Sequence, residues 1–382
     1  MKKMIYLTYA EPPSGVFSSQ VIDVIQYINK ELKSDIKLVS FISMHDFKKH
    51  KLLIRQQFPT ALILPMLPKA TYWRFNVILL WFVCLFIRPS VILARNVIAA
   101  NMALKVRGKS SVERVCFDGR GAIAAEWKEY DVNVVKSWIA EIDLLEKRAV
   151  IDSDFRIAVS EKLVEYWKEV YAYSEQAHVV IPCTLNSNFK GKPITLVDIE
   201  LSRAKFGFNV DDIVLAYSGS TAGWQSFSIL YPYLSHYLNL GRQYKVIFLA
   251  PEEENITKLE QEFPGQVIRK WVAHSEVPSV LMACDIGILI REQSITNKVA
   301  SPTKFAEYLS AGLPVIITEN LGDYSSFVAK HHCGYVVTGS EFPILTTSNI
   351  EQRTRMVSLV QDYCTKGAYL NQYRKLLEKL SS

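Results

Sequence analysis

The chain has 382 residues, too many for one hydrophobic core, since cores stop growing near roughly 250–300 residues. Its 49% hydrophobic content is enough for two cores, and the 21% charged residues, spread along the chain, exclude a disordered polyelectrolyte. A net charge of +6 suits phosphate-bearing ligands or an anionic membrane surface. Without zinc-finger spacing, an RNA-binding signature or a long basic run, it argues against nucleic acid.

The opening MKKMIYLTYAEPP reads as a first strand and not as a secretion signal, because a short apolar run meets Glu11 and two prolines. After MIYLT (4–8) come a Pro-Pro-Ser-Gly loop and a helical pattern over 18–32. Gly15 suits either a plain turn or close approach of the backbone to a ligand, and Ser18 and Ser19 are expected N-caps. KLVSF (37–41), ALIL (61–64), VILA (91–94), RVCF (114–117) and IAVS (157–160) are further expected strands. Helical stretches separate most of them, which means parallel strands with crossover helices.

Within this half, WRFNVILLWFVCLFIR (73–88) is apolar without a break from Val77 to Ile87. That is too short for a bilayer span, which takes ~20 residues. Two readings stay open: a buried helix, or a helix on a membrane surface with Trp73, Arg74 and Arg88 at the headgroups. After RVCF, Asp118 and Arg120 alternate with Gly119 and Gly121. Turn-building explains the aspartate and the glycines; Arg120 suits a bidentate grip on a carboxylate or phosphate.

The polar stretch CTLNSNFKGKPIT near 183–200 reads as a linker. The alternation then restarts with IVLAYSG (213–219), KVIFLA (245–250), VIRKWV (267–272), DIGILI (285–290), PVIIT (314–318) and GYVV (334–337), and is helical from about Asn349. The expected fold is α/β: two Rossmann-like doubly wound domains facing across a cleft, at 1–185 and 186–365, with 366–382 a C-terminal helix that can cross back to the first. Ligands of such sheets bind beyond the carboxyl ends of the strands. The six cysteines, none in Cys-x-x-Cys spacing, read as reduced core thiols of a cytosolic protein.

In the second domain, Gly219 and Ser220 follow the first strand, where small residues with free amides suit a phosphate. Arg291 ends another strand, and a polar loop leads into SPTKFAEYLSAGLPVI (301–316). Ser301 is the expected N-cap, Pro302 the first helical residue, and Thr303 and Lys304 the first turn. A lysine there opposes the helix dipole, unless an anion sits at the helix start, held by amides, Lys304 and Arg291. Glu307, one turn on, is placed to accept hydrogen bonds from vicinal hydroxyls such as those of a ribose. Gly312 ends the helix.

This segment resembles the donor-site helix of retaining GT-B glycosyltransferases of family 4, in particular the branch that builds bacterial surface polysaccharides. FDGRG (117–121), EKRAVIDSDFRIAVSEKLVEYW (146–167), VIPCT (180–184) and AYSGS (216–220) support the resemblance by their order. It implies that Glu307 binds the nucleotide ribose, that Ser301 and Thr303 lie by the diphosphate, that Gly15 lies by the donor phosphate, and that the backbone near Trp271 and Val272 lines the base.

The sequence departs from the family in three places. Val299 stands where a second acid is usual, Ser220 and its neighbours lack the usual Arg and Lys, and Asp118–Arg120 replaces a common histidine. The implied reaction moves a sugar from a UDP- or GDP-sugar to a saccharide or lipid-linked acceptor. Arg291 and Lys304 would stabilise the leaving group, Asp118 and Arg120 would serve the acceptor side, and no cofactor or metal is expected. The protein would work in the cytoplasm, at the inner face of the plasma membrane. A sugar-nucleotide epimerase and a non-catalytic sugar-nucleotide scaffold are the alternatives.

Overall fold

The computed structural model describes residues 2–382 except 69–71, 131–135, 187–192, 220–222, 274–275 and 340; of residues 136–138 and 224 only the backbone is described. The chain forms two compact units, Met1–Ser187 with Lys366–Ser382, and Asn188–Thr365.

The first unit is built on seven strands: β1 (Met4–Tyr9), β2 (Ile36–Ile42), β3 (Leu62–Pro65), β4 (Val91–Arg95), β5 (Arg114–Gly119), β6 (Phe155–Ala158) and β7 (His178–Val180). All are parallel, in the order β3-β2-β1-β4-β5-β6-β7. The apolar runs are continuous because helices cover both faces of such a sheet: every residue of β1 and of β4 is buried. β7 was not foreseen. Its three residues carry too little pattern to stand out from a loop.

The helix after β1 differs from expectation at its start. Ser14 is the N-cap and accepts from the Phe17 amide, while Ser18 and Ser19 lie in a π-helical turn, Ser18–Ile22, that runs into the helix Asp23–Glu31. Gly15 sits in the first helical turn; the left-handed residue of this connection is Ala10, at φ 62.

The segment Trp73–Ile87 is a helix with Trp73, Asn76, Leu80, Val83 and Cys84 buried. Its opposite side is exposed, so it is only half of the buried helix that its composition suggests. No helix among the described residues is long and apolar enough to cross a membrane.

At its end the chain returns to the first unit. Helix Leu370–Ser381 puts Tyr373, Leu376 and Leu380 into the same core as Tyr6, Leu38 and Leu93. Buried Lys366 pins the return, pairing with Asp23 at 2.5 Å and donating to the Leu185 carbonyl at 2.8 Å.

The second unit repeats the plan with β8 (Ile213–Ser218), β9 (Tyr244–Leu249), β10 (Val267–Lys270), β11 (Ile286–Leu289), β12 (Val315–Thr318) and β13 (Gly334–Val337). The order is β10-β9-β8-β11-β12-β13, again parallel. Both sheets therefore reverse direction beside their first strand, between β1 and β4 and between β8 and β11. The crevice for a ligand opens at that switch point.

Five of the six cysteines are buried and Cys183 is half-buried; all are free thiols.

Candidate functional site

The switch point of the second unit brings together the carboxyl ends of β8 and β11 and the helix Thr303–Ser310. Close packing sets the helix. Gly287 in β11 lies under Tyr308, whose ring carbon Cγ would be 2.3 Å from a Cβ at 287. The Tyr308 hydroxyl accepts from the Ser218 amide at 2.9 Å. At the far end, fully buried Arg353 donates to the Ala311 carbonyl at 3.2 Å, and Gly312 turns at φ 78. The helix is thus clamped at both ends against the strands whose ends form the crevice.

Its start differs from the expected cap. Pro302 occupies the N-cap position and no side chain caps the helix. The Ser301 hydroxyl pairs instead with the Tyr324 hydroxyl at 3.0 Å. Pro302, at the N-cap, has no side-chain oxygen to offer the first-turn amides of Thr303 and Lys304, which suits an incoming anion better than a satisfied cap would.

Lys304 and Arg291 meet on one atom. The Lys304 ammonium donates to Gln225 Oε1 at 3.0 Å and the Arg291 guanidinium donates to the same oxygen at 3.3 Å. Arg291 is buried, also donates to Asn297 Oδ1 at 3.3 Å, and its amide donates to the Thr318 hydroxyl. Lys304 lies over the Tyr217 ring, 5.0 Å from its centre. Burial and then the neighbouring Arg291 push the Lys304 ammonium down to about 7, against the pull of Glu307 and Glu253. Two cations held this close are a standing electrostatic cost that an anion would relieve.

Gly219 has φ 112, and its amide is not free as expected: it donates to the Leu249 carbonyl at 2.9 Å. Its role is steric, because it leaves space for Lys304. Ser220 lies outside the described residues. Val272, two residues beyond β10, is half-buried, and Thr303 and Glu307 are half-buried on the helix. Gln225, the residue that joins the two cations, was missed; a lone glutamine in a loop carries no pattern that would mark it.

In the first unit, Asp118 is fully buried. Arg120 grips it with Nε at 2.8 Å from Oδ1 and Nη2 at 3.1 Å from Oδ2, Tyr6 donates its hydroxyl to it, and Arg95 stands at 3.7 Å. The bidentate partner of Arg120 is therefore a carboxylate of its own chain. Arg95 in turn binds Glu11 at 2.8 Å, and Asn96 donates to the other Glu11 oxygen at 3.2 Å. The network ties the loop after β1 to the ends of β4 and β5. Gly15, at the exposed start of the following helix, lies four residues beyond Glu11.

An Asp-x-Asp spelling occurs at 152–154, ahead of β6 and so at the amino end of the sheet. Asp154 is held there by Arg107 at 2.8 Å and by the Val115 amide. Among the described residues no three His, Cys, Asp or Glu side chains are grouped to hold a metal.

Solved structures resemble this chain along its whole length. A glycosyltransferase from Rickettsia africae matches with a TM-score of 0.70 at 15% identity, over 99% of this chain and 98% of that one. The fold is GT-B, two Rossmann-like units. Anabaena HepE in complex with UDP and glucose matches at 0.67 and 13%, over 100% of both chains. UDP-GlcNAc 2-epimerase from Neisseria meningitidis, bound to UDP-GlcNAc, matches at 0.53 and 13%, over 98% of this chain and 94% of that one. No family model and no curated protein sequence matches the chain. At these identities the likeness carries the fold alone.

Proposed function

We propose that the protein is a retaining glycosyltransferase of the family 4 kind. It would move a sugar from a nucleotide-diphosphate sugar to a hydroxyl of a saccharide or lipid-linked saccharide in surface polysaccharide assembly, at the cytoplasmic face of the membrane. The observation that carries the reading is the convergence of Lys304 and Arg291 on Gln225 Oε1, beside an uncapped helix start at a sheet switch point.

In this reading the diphosphate lies between the two cations and the amides of Thr303 and Lys304, with Ser301 and Gly219 beside it. Ser220 follows Gly219 in the sequence. The Glu307 carboxylate accepts from the ribose hydroxyls, and the backbone at Val272 lines the base. The slow event is departure of the diphosphate from an oxocarbenium-like sugar, and fixed positive charge lowers that barrier because it is in place before the charge develops. Lys304 takes up a proton as the anion arrives, so the leaving group meets a full ammonium. No residue need bind a metal for this.

On the acceptor side, Arg120 and Asp118 act as a brace that positions the strand-end loops of the first unit, and Gly15 begins the helix beside them.

The test is calorimetric titration with UDP and with GDP, UDP first because HepE carries it. Binding of one nucleotide, weakened at least tenfold in Glu307→Ala, is the expected result. Equal binding by the variant removes the donor-site assignment. Incubation with UDP-sugars then separates the rivals. Sugar transferred to an acceptor supports a transferase, release of UDP and an altered sugar without acceptor an epimerase, and binding without turnover a scaffold.

A further inference from the structure

The helix Trp73–Ile87 is apolar on every side, a pattern that belongs to a helix enclosed all round. It is enclosed on one side only. At 100° per residue, Phe75, Ile78, Phe82, Leu85 and Phe86 fall on one face, and all five are exposed, Phe86 at 85% and Phe75 at 61%. Large contiguous apolar surface of this kind marks a contact the isolated chain does not make.

The stretch that carries this face is basic in sequence, although three of its cations, Arg74, Arg95 and Arg107, pair with Glu141, Glu11 and Asp154 from elsewhere in the chain. Residues 47–112 contain eleven Lys or Arg and no Asp or Glu, although the whole chain carries only +6; the cations are less evenly spread than composition suggests. Helix Trp73–Ile87 packs on helix Val97–Val106. Between them runs a groove of about 280 Å³ lined by Val77, Ile78, Trp81, Lys105, Val106 and Lys109. The Trp81 indole donates to the Lys109 carbonyl at 2.8 Å, which fixes the end of the groove. Lys105, Lys109 and Arg88 are exposed and form no ion pair among the described residues, while Arg74 pairs with Glu141.

We propose that this face docks the protein on an anionic lipid bilayer, with Ile78, Phe82 and Phe86 entering the acyl boundary and Lys105, Lys109 and Arg88 at the headgroups. The helix is 15 residues long, about 22 Å at 1.5 Å per residue, so it lies in the interface and does not cross it. A second copy of the chain fits worse. A two-fold contact through this face would set Lys105, Lys109 and Arg88, which have no acid partner among the described residues, against their own copies. The docking surface does not depend on the donor-site reading.

The test is flotation of the full chain with vesicles of pure phosphatidylcholine and of an equal mixture with phosphatidylglycerol, in low and high salt. The wild type should float with the mixed vesicles and much less with the neutral ones. Lys105→Glu/Lys109→Glu should weaken that binding by more than tenfold at low salt, since each cation near an anionic surface contributes roughly fivefold. Phe82→Ser/Phe86→Ser should weaken it at low and high salt alike. Both variants should keep the wild-type melting temperature and nucleotide affinity, which separates failure of docking from failure of the donor site. Failure of the wild type to float with anionic vesicles, or unchanged flotation of both variants, overturns the proposal. So does a dimer in sedimentation velocity, without lipid, that Phe82→Ser/Phe86→Ser dissociates.

Discussion

A Cβ at Gly219 would stand 2.5 Å from the Lys304 ammonium nitrogen and 2.8 Å from its Cε. The missing side chain after β8 is the space into which the lysine of a helix 85 residues later extends. Gly219→Ala is therefore expected to displace the ammonium and to strain a backbone at φ 112, at a cost of about 1–2 kcal/mol in stability. Nucleotide affinity should fall about tenfold, which is about 1.4 kcal/mol. The decisive check is a double-mutant cycle. In a Lys304→Met background the glycine substitution should cost no further affinity, because the group it displaces is gone.

Lys304 also sets an expected pH dependence. Its ammonium is pushed down to about 7 by burial and by Arg291, whereas the unfolded chain holds that proton up to the ordinary lysine range. Between these limits the unfolded state binds more protons, so this group's contribution makes stability rise with pH through that window. Binding of a diphosphate works the other way: it favours the charged form, so affinity should fall as pH rises above 7. Titration in buffers of different ionisation enthalpy should show proton uptake near pH 8, and Lys304→Met should show none.

Asp118 should matter for stability and not for donor binding. Asp118→Ala leaves Arg120 and Arg95 without their buried carboxylate, and breaking a buried pair from one side costs about 3–5 kcal/mol. Urea unfolding measures the loss. Nucleotide affinity measured below the onset of unfolding should stay within about twofold; a large loss of affinity would move Asp118 into the donor machinery.

Glu146 is fully buried, accepts from the Ala124 amide at 2.8 Å and from the Tyr171 hydroxyl at 3.2 Å, and is pushed up to about 7 by burial. The folded state holds its proton more tightly than the unfolded state, so its contribution to stability is present at low pH and is lost as pH rises through 7. Glu146→Gln keeps an acceptor and should flatten the stability profile between pH 5 and 8. Glu146→Ala strips the acceptor from the helix Ile123–Glu129 and should cost about 1–3 kcal/mol at every pH.

Much of the fold was legible because its sheets are parallel and covered on both faces. Strands such as MIYLT and VILA then read as unbroken apolar runs, and twelve of the thirteen strands among the described residues were expected, although charged ones such as VIRK stand out less. The donor helix was legible for a different reason. Lys304 in the first turn conflicts with the helix dipole, and a local conflict of that kind points to a ligand. What could not be read were partnerships over long separations. Tyr6 and Asp118 are 112 positions apart and Arg291 and Gln225 are 66 apart, and no periodicity links them. Ser301 misled because cap preference is a weak local rule, which a hydroxyl partner on Tyr324 overrode. Helix Trp73–Ile87 left two readings open because composition reports how apolar a helix is and not which of its sides is covered.

The returning helix Leu370–Ser381 has a consequence for synthesis. Tyr373, Leu376 and Leu380 complete a core whose other members begin at Met4. On the ribosome, a unit made first normally folds first. Here the first unit stays unfinished until the helix Leu370–Ser381 emerges, while the second, made of the continuous stretch Asn188–Thr365, can close before it. A nascent chain stalled before residue 380 would leave uncovered the apolar surface of β6 and β7 on which that helix packs, and a premature stop within Leu370–Ser381 would leave the core of the first unit unfinished.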